Sequence, residues 1–269
     1  MGLKNGLRVL YRTVDRFGLG AGLKAWWALA APGSGVRAVR IPGFDHKVWL
    51  RAGTTDVANF EQIFLLGSLD QRRFPQCRAL REYARTAPAP KVVVDGGAYI
   101  GLSSVWLAHA FPDATIFAVE PDPANAAMVR RNVAAWPNVE VVEAGLWDQA
   151  TTVFLRSEGQ EPWSVKVTDS VGEGTGVPTV TINQLMERAG ARELLMVKLI
   201  IEGSEKAVFR SGLEWLDRTH HVVFMPGDWA SPGAGGGQVA FAALAARSFD
   251  WIVDGQCVYC YRMAGKSLA

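Results

Sequence analysis

The feature that most limits this chain is an apolar run, Lys91-Val92-Val93-Val94. It passes directly into Asp95-Gly96-Gly97-Ala98-Tyr99-Ile100-Gly101 and then into a helical pattern from Leu102 to Phe111. A run without polar alternation predicts a strand covered on both faces, as in a parallel sheet flanked by helices. Similar runs recur at Thr115 to Val119, Val139 to Val142, Leu194 to Ile201 and His221 to Met225. Helical patterns separate them: Pro123 to Trp136 with proline in the first turn, about 204–216, and Gln238 to Arg247. Repeated βα units predict an α/β fold with a doubly wound, mostly parallel sheet. Trp251-Ile252-Val253 and Cys257 to Tyr261 flank Asp254-Gly255, a turn dipeptide, which predicts an antiparallel C-terminal hairpin.

The segment before residue 89 has another character. Residues 1–35 are expected to be helical up to the break Pro32-Gly33-Ser34-Gly35, and Val36 to Leu50 to form a strand pair turning at Pro42-Gly43. Thr55-Asp56 marks the start of a helix carrying Phe60, Ile63, Phe64 and Leu65. A further helix spans about 77–85 and stops before Pro88-Ala89-Pro90. Two units are therefore expected: a helical and strand cap over 1–88 and a Rossmann-like domain over 89–269. Within the second, 151–181 is expected as an antiparallel excursion, with Asn183 capping a short helix.

Bulk properties exclude more than they identify. With 28 basic and 26 acidic residues, formal charge +2, there is no electrostatic case for nucleic acid. Three cysteines make no disulfide framework and suit a reducing cytoplasm. Cys257 and Cys260 have redox or zinc spacing, but residues three apart in a strand point to opposite faces, so plain strand residues are expected. The apolar stretch Leu19 to Ala31 contains Trp26 and Trp27 but is interrupted by Lys24. It is short of the ~20 residues a membrane span requires. It follows Arg8, Arg12 and Arg16 without a cleavage pattern, so no signal peptide is expected. An amphipathic helix packing on the domain or on a second subunit is expected, with membrane-surface attachment as the alternative. Oligomeric state is not readable.

The glycine loop lies between a buried strand and a helix, where ligands of open α/β sheets bind. Glycines allow tight turning and close approach, and the following helix offers free N–H groups. Glu120, directly after the next strand, can accept both hydroxyls of an adenosine ribose, which serves NAD and S-adenosylmethionine equally. Gly96, Ala98 and Gly101 imitate a dinucleotide fingerprint. Asp95, however, would repel a pyrophosphate and can instead bind a methionyl amino group, which favours the sulfonium cofactor. An NAD-dependent oxidoreductase, or a tight turn with no ligand at all, would also give a loop of this kind. Trp147-Asp148 stands where adenine would be contacted: the ring can stack on the base and the carboxylate accept from its amino group.

In this order the motifs resemble the FkbM-type family of S-adenosylmethionine-dependent methyltransferases, from about Arg51 to the C-terminus. The pieces are Arg51 to Asp56 with Phe60 to Phe64, Asp95 to Gly101, Val119 to Pro123, Gly145 to Asp148, Val197-Lys198, and Glu202 to Glu205. The resemblance implies a class I methyltransferase sheet and O-methylation of a hydroxyl on a sugar, glycolipid or polyketide-like small-molecule or glycan acceptor. It also implies cofactor contacts from Asp95, Gly97, Tyr99 and Glu120, with Thr54, Thr55 and Asp56 nearby. Gly96, Gly101, Trp147 and Asp148 complete the expected cofactor set.

At the expected reaction centre the chain departs from the pattern of the family it resembles. The K-x-D-x-E-G pattern of the fourth strand reads Lys198-Leu199-Ile200-Ile201-Glu202-Gly203, with Ile200 in place of aspartate. After the fifth strand, Met225 and Gly227 stand where Glu and His are common. Methylating an alcohol needs a general base or a metal that acidifies the hydroxyl. Isoleucine and glycine supply neither, and a thioether is a poor ligand for a hard cation. Impaired catalysis is expected, and a bound divalent metal is not. The alternative is an active O-methyltransferase using Asp228 or another base, with Lys198 as a second catalytic candidate. His220 and His221 begin their strand at the far end, and the acceptor-facing segments 156–178 and 231–237 carry no readable code.

Overall fold

The computed structural model describes residues 3–31, 34–88, 90–157, 165–168, 175–201, 204–229 and 232–263. Glu202, Gly203 and most of the 156–178 segment lie outside them. Two helices, α1 (Leu3–Phe17) and α2 (Leu19–Ala30), meet at Gly18, whose φ of 77° lets the chain reverse. The strand pair follows as β1 (Val36–Arg40) and β2 (Lys47–Arg51), antiparallel. Next come α3 (Asp56–Phe60), a π-helical turn at Glu61–Leu65, and α4 (Pro75–Thr86).

The main sheet is built from β3 (Lys91–Gly96), β4 (Ala114–Val119), β5 (Val139–Val142), β10 (Met196–Leu199), β11 (His221–Phe224), β12 (Phe249–Asp254) and β13 (Cys257–Arg262). Its order is β12-β13-β11-β10-β3-β4-β5. All its pairings are parallel except those of β13, which runs antiparallel between β11 and β12. The doubly wound α/β expectation holds, and so does the hairpin: Asp254 pairs Cys257 across Gly255 and Gln256. The returning strand rather than the outgoing one docks on β11. A second sheet, order β6-β9-β7-β8, forms from β6 (Gly145–Leu146), β7 (Thr152–Ser157), β8 (Val165–Thr168) and β9 (Thr175–Val180).

Residue alternation explains both faces of the sheet. Val93, Ile116, Ala118, Met196, Val223 and Tyr259 point to one side, against α5 (Leu102–Ala110), α6 (Pro123–Val133), α4 and the α1–α2 pair. Val92, Val94, Phe117, Val197, Val222 and Cys260 point to the other, with α7 (Ile182–Arg188), α8 (Glu205–Val208), α9 (Glu214–Asp217) and α10 (Gly236–Ala245). Cys257 and Cys260 fall on opposite faces, as their spacing in a strand requires.

Two local expectations are corrected. The cap of α7 is Thr181, which forms a reciprocal capping box with Gln184, while Asn183 donates to Gly212 O and Glu214. The single helix expected at 204–216 is two one-turn helices, α8 and α9, separated where Gly212 adopts φ 63°. At Glu61–Leu65 the helix widens, Leu66 N–H reaching back to Glu61 O. Such insertions carry one extra residue per turn and re-aim the side chains after them. Gln62 and Ile63 lie within this turn.

Candidate functional site

A cavity of about 470 Å³ opens at the carboxyl ends of β3, β4, β10 and β11, where strand order reverses between β3 and β10. That is the switch point at which open α/β sheets bind ligands, and the volume lies within the ~300–1,000 Å³ of small-molecule pockets. Of the residues expected from sequence, Thr55, Gly97, Tyr99, Glu120 and Lys198 line it.

Glu120 follows β4 and is buried. Its Oε2 accepts from Tyr99 N–H at 2.8 Å, and Oε1 accepts from Asp122 N–H at 3.1 Å. Burial outweighs these donors and pushes its pKa up to about 7. Tyr99 holds an uncommon left-handed conformation for a residue with a side chain, φ 55°. Its hydroxyl donates to Asp56 at 2.6 Å and lies 2.9 Å from the Thr55 hydroxyl. Burial, then the Asp56 carboxylate, pushes the phenol pKa well above its ordinary value. Arg51 grips Asp56 with its side chain and its backbone N–H. This network ties the segment before α3 to the glycine loop. Asp56 is therefore a fully buried anchor behind the cavity and does not line it.

Asp95 is also enclosed. Both Ser103 and Ser104 donate to its Oδ2 at 2.6 Å, and the Lys198 ammonium stands 2.8 Å from Oδ1. Lys198 also donates to the carbonyls of Gly96 and Gly97. The carboxylate thus faces the first turn of α5, and the lysine bolts β10 to the loop. Asp95, expected from sequence at the ligand, does not line the cavity; its carboxylate belongs to an internal network.

The glycines are explained by their own chain. A Cβ on Gly97 would stand 2.0 Å from the Ile200 carbonyl oxygen, and Gly97 has φ 69°. One on Gly96 would meet Leu146 at 2.5 Å, and one on Gly101 would meet Val129 at 3.0 Å. Close strand–loop and helix–helix packing, rather than access for a ligand, excludes side chains at these positions.

Trp147 and Asp148 are not brought to the cavity. Trp147 packs with Val153, Leu155, Val177 and Ala207 beneath the second sheet, and Asp148 accepts from Arg210 and Ser211. The wall they were expected to form comes from Ala144, Gly145 and Leu146, just before them. Asp228 accepts from Gly237 N–H at 2.8 Å, holding the first turn of α10, and is not among the lining residues.

Ile200 and Met225, directly after β10 and β11, do line the cavity; Gly227 starts a short 3₁₀ turn outside it. Sequence reasoning missed Asn59, Gln62, Ser204 and Gln256, which also face the cavity. Asn59 Oδ1 and the Ser204 hydroxyl are buried with no hydrogen-bond partner among the described residues, so the walls hold polar atoms fit for a polar ligand. Asn59 and Gln62 follow at helical spacing from Thr55, a signal that was available. Gln256 sits in the hairpin turn, and nothing local marks it. Among the described residues, no three His, Cys, Asp or Glu side chains are grouped to hold a metal ion.

A seven-stranded sheet with one antiparallel strand beside its edge, and a cavity at the carboxyl ends of its first strands, is the Rossmann-like class I methyltransferase fold. Residues 95–226 match the family model described as the methyltransferase FkbM domain. None of the curated proteins compared with the chain matches it. Solved structures similar to it include the O-methyltransferase TomG from Streptomyces achromogenes, in complex with SAM. It is 19% identical, covering 70% of this chain and 80% of that one, TM-score 0.38. A methyltransferase from Geobacter sulfurreducens is 20% identical, covering 77% and 89%, TM-score 0.36. Precorrin-6y C5,15-methyltransferase from Geobacter metallireducens is 15% identical, covering 69% and 87%, TM-score 0.36.

Proposed function

We propose that this chain binds S-adenosylmethionine in the cavity and is impaired in the O-methylation that its family resemblance implies. The fit is good at the nucleoside end. Glu120 offers a buried carboxylate suited to the two ribose hydroxyls, and Pro121, Ala144 and Leu146 offer an apolar surface for a purine. The peptide groups from Gly97 to Tyr99 and the Ser204 hydroxyl, without a partner among the described residues, offer polar contacts for the amino-acid end. A pyrophosphate fits poorly, because the Asp95 carboxylate already occupies the first turn of α5. When bound, S-adenosylmethionine supplies a methyl group activated on its sulfonium.

One observation carries the impaired reading: Ile200 and Met225 occupy the wall where β10 and β11 end, and neither can accept a proton. Lys198 is engaged by Asp95 and two carbonyls, and Asp228 by the start of α10. A general base contributes ~10²–10⁴-fold, so what these residues leave is orientation of the reactants alone. Calorimetric titration with S-adenosylhomocysteine, with NAD as control, tests the cofactor reading. Micromolar binding of the first only is expected, and Glu120→Gln should weaken it by ~10-fold or more, the effect of losing charge-assisted bonds. Binding of neither would refute it. Methyl transfer to sugar, glycolipid or polyketide-like hydroxyls at a kcat of ~1 s⁻¹ or above would refute impairment.

A further inference from the structure

Nine large apolar side chains are exposed among the described residues, and five of them, Leu7, Tyr11, Leu19, Leu23 and Trp27, belong to the α1–α2 hairpin. They form two rows at one-turn spacing: Leu7 and Tyr11 on α1, and Leu19, Leu23 and Trp27 on α2. The hairpin itself is firmly seated. Val9, Ala25 and Leu29 are buried in the core, and the Trp26 indole donates to Gly6 O. The helices cross so closely that a Cβ on Gly22 would lie 2.6 Å from Val14 Cα. At 100° per residue, both rows lie on the side turned away from Val9, Ala25 and Leu29. Tyr11 is 71% exposed and Trp27 65%. An apolar face of this kind on a well-packed element marks an interaction surface.

Charge identifies what covers it. The hairpin carries Lys4, Arg8, Arg12, Arg16 and Lys24 against Asp15 alone. The whole chain has 28 basic and 26 acidic residues, so the rest is net acidic. Lys4 and Lys24 are exposed on the rim of the apolar rows, and Arg8 and Arg16 stay half-exposed beside their partners Glu61 and Asp70. No helix among the described residues is long and apolar enough to cross a membrane. An amphipathic hairpin with aromatic and leucine side chains on a basic rim suits the plane of an anionic bilayer. There Trp and Tyr favour the headgroup level. A second copy is the poorer occupant, since pairing two such faces about a two-fold axis would bring like charges together.

We propose that the α1–α2 hairpin is an interfacial anchor that docks this protein on an anionic membrane surface. Docking stands apart from cofactor chemistry and is tested without it. The full chain is floated with vesicles of phosphatidylcholine alone and of roughly 3:1 phosphatidylcholine to phosphatidylglycerol at low and high salt. Flotation only with the anionic vesicles, reduced by salt, is expected. Lys4→Gln with Lys24→Gln should weaken it about fivefold per lysine. Leu23→Ser with Trp27→Ser should abolish it while leaving S-adenosylhomocysteine binding and thermal unfolding as in the parent. No flotation, or flotation unchanged by both pairs of substitutions, would overturn the proposal. So would a dimer that the Leu23/Trp27 variant dissociates, in a protein that ignores vesicles.

Discussion

Two buried groups with opposite pH linkage sit within one small domain. The Glu120 pKa is raised to about 7 and the His221 pKa is lowered to about 4, in both cases chiefly by burial. His221 lies sealed against the Tyr261 ring, 3.9 Å between centroids, with Nδ1 on Cys260 O. Between pH 4.5 and 7 the folded chain holds a proton on Glu120 that the unfolded chain has released. Stability from this group is therefore full at low pH and is lost as pH rises through 7. For His221 the unfolded chain binds the extra proton between pH 4 and 6.5, so stability is lost as pH falls through that window. The two slopes oppose each other. Glu120→Gln should leave the histidine slope uncovered, making stability rise with pH by up to ~1.4 kcal/mol per unit near pH 5.5 relative to the parent. His221→Phe should do the reverse. Urea titrations across pH decide this, and parallel parent and variant curves would refute the burial-driven shifts. At the same scale, Gly97→Ala meets both φ 69° and the Ile200 carbonyl. Chemical denaturation should show a loss of at least ~2 kcal/mol.

At the scale of elements, the π-turn joins the N-terminal hairpin to the cavity. Glu61, its first residue, is buried and accepts from Arg8 at 3.2 Å and Arg12 at 2.5 Å, while the next two residues line the cavity. Burial is unequal across this ion pair: the Glu61 side chain is 5% exposed, that of Arg8 50%. Removing the two arginines strands a carboxylate that water cannot reach, whereas removing its charge frees two side chains that water can. Arg8→Ala with Arg12→Ala should therefore destabilise by about 3 kcal/mol, and Glu61→Gln by about 1, measured by urea unfolding. Equal losses would show that the pair acts as a surface contact. Elements of this kind were only partly legible. Continuous valine runs and the Asp254-Gly255 turn sufficed for the sheet and its terminal hairpin, because burial on two faces and two-residue loops have local signatures. The π-turn, the break at Gly212 and the Thr181 cap were not read, since each is set by competition between nearby hydrogen bonds.

For the whole molecule, the cavity lining was legible where topology dictates it and not where side chains choose among partners. Glu120, Gly97 and Tyr99 follow strands whose carboxyl ends must face the cavity. Asp95 and Asp148 were expected there too, but Lys198 with Ser103 and Ser104 holds one, and Arg210 with Ser211 the other. No spacing rule reveals partners as far along the chain as Lys198, Arg210 and Ser211. The same topology brings Ile200 and Met225 to one wall, which permits a direct test of impairment. Ile200→Asp with Met225→Glu places two carboxyls on the apolar part of the cavity wall. Without a counter-charge at least one should keep its proton, and the variant should unfold several degrees below the parent. A divalent cation bridging both would be bound by the folded chain alone, so millimolar Mn²⁺ should restore the melting temperature in the variant and leave the parent unchanged. If lost acid–base or metal chemistry is what limits this protein, transfer of labelled methyl groups to hydroxyl acceptors should rise ~100-fold or more in the variant. A variant that gains metal binding without turnover would place the deficit in acceptor binding instead. One that gains neither would mean that the two side chains do not converge on the reacting hydroxyl.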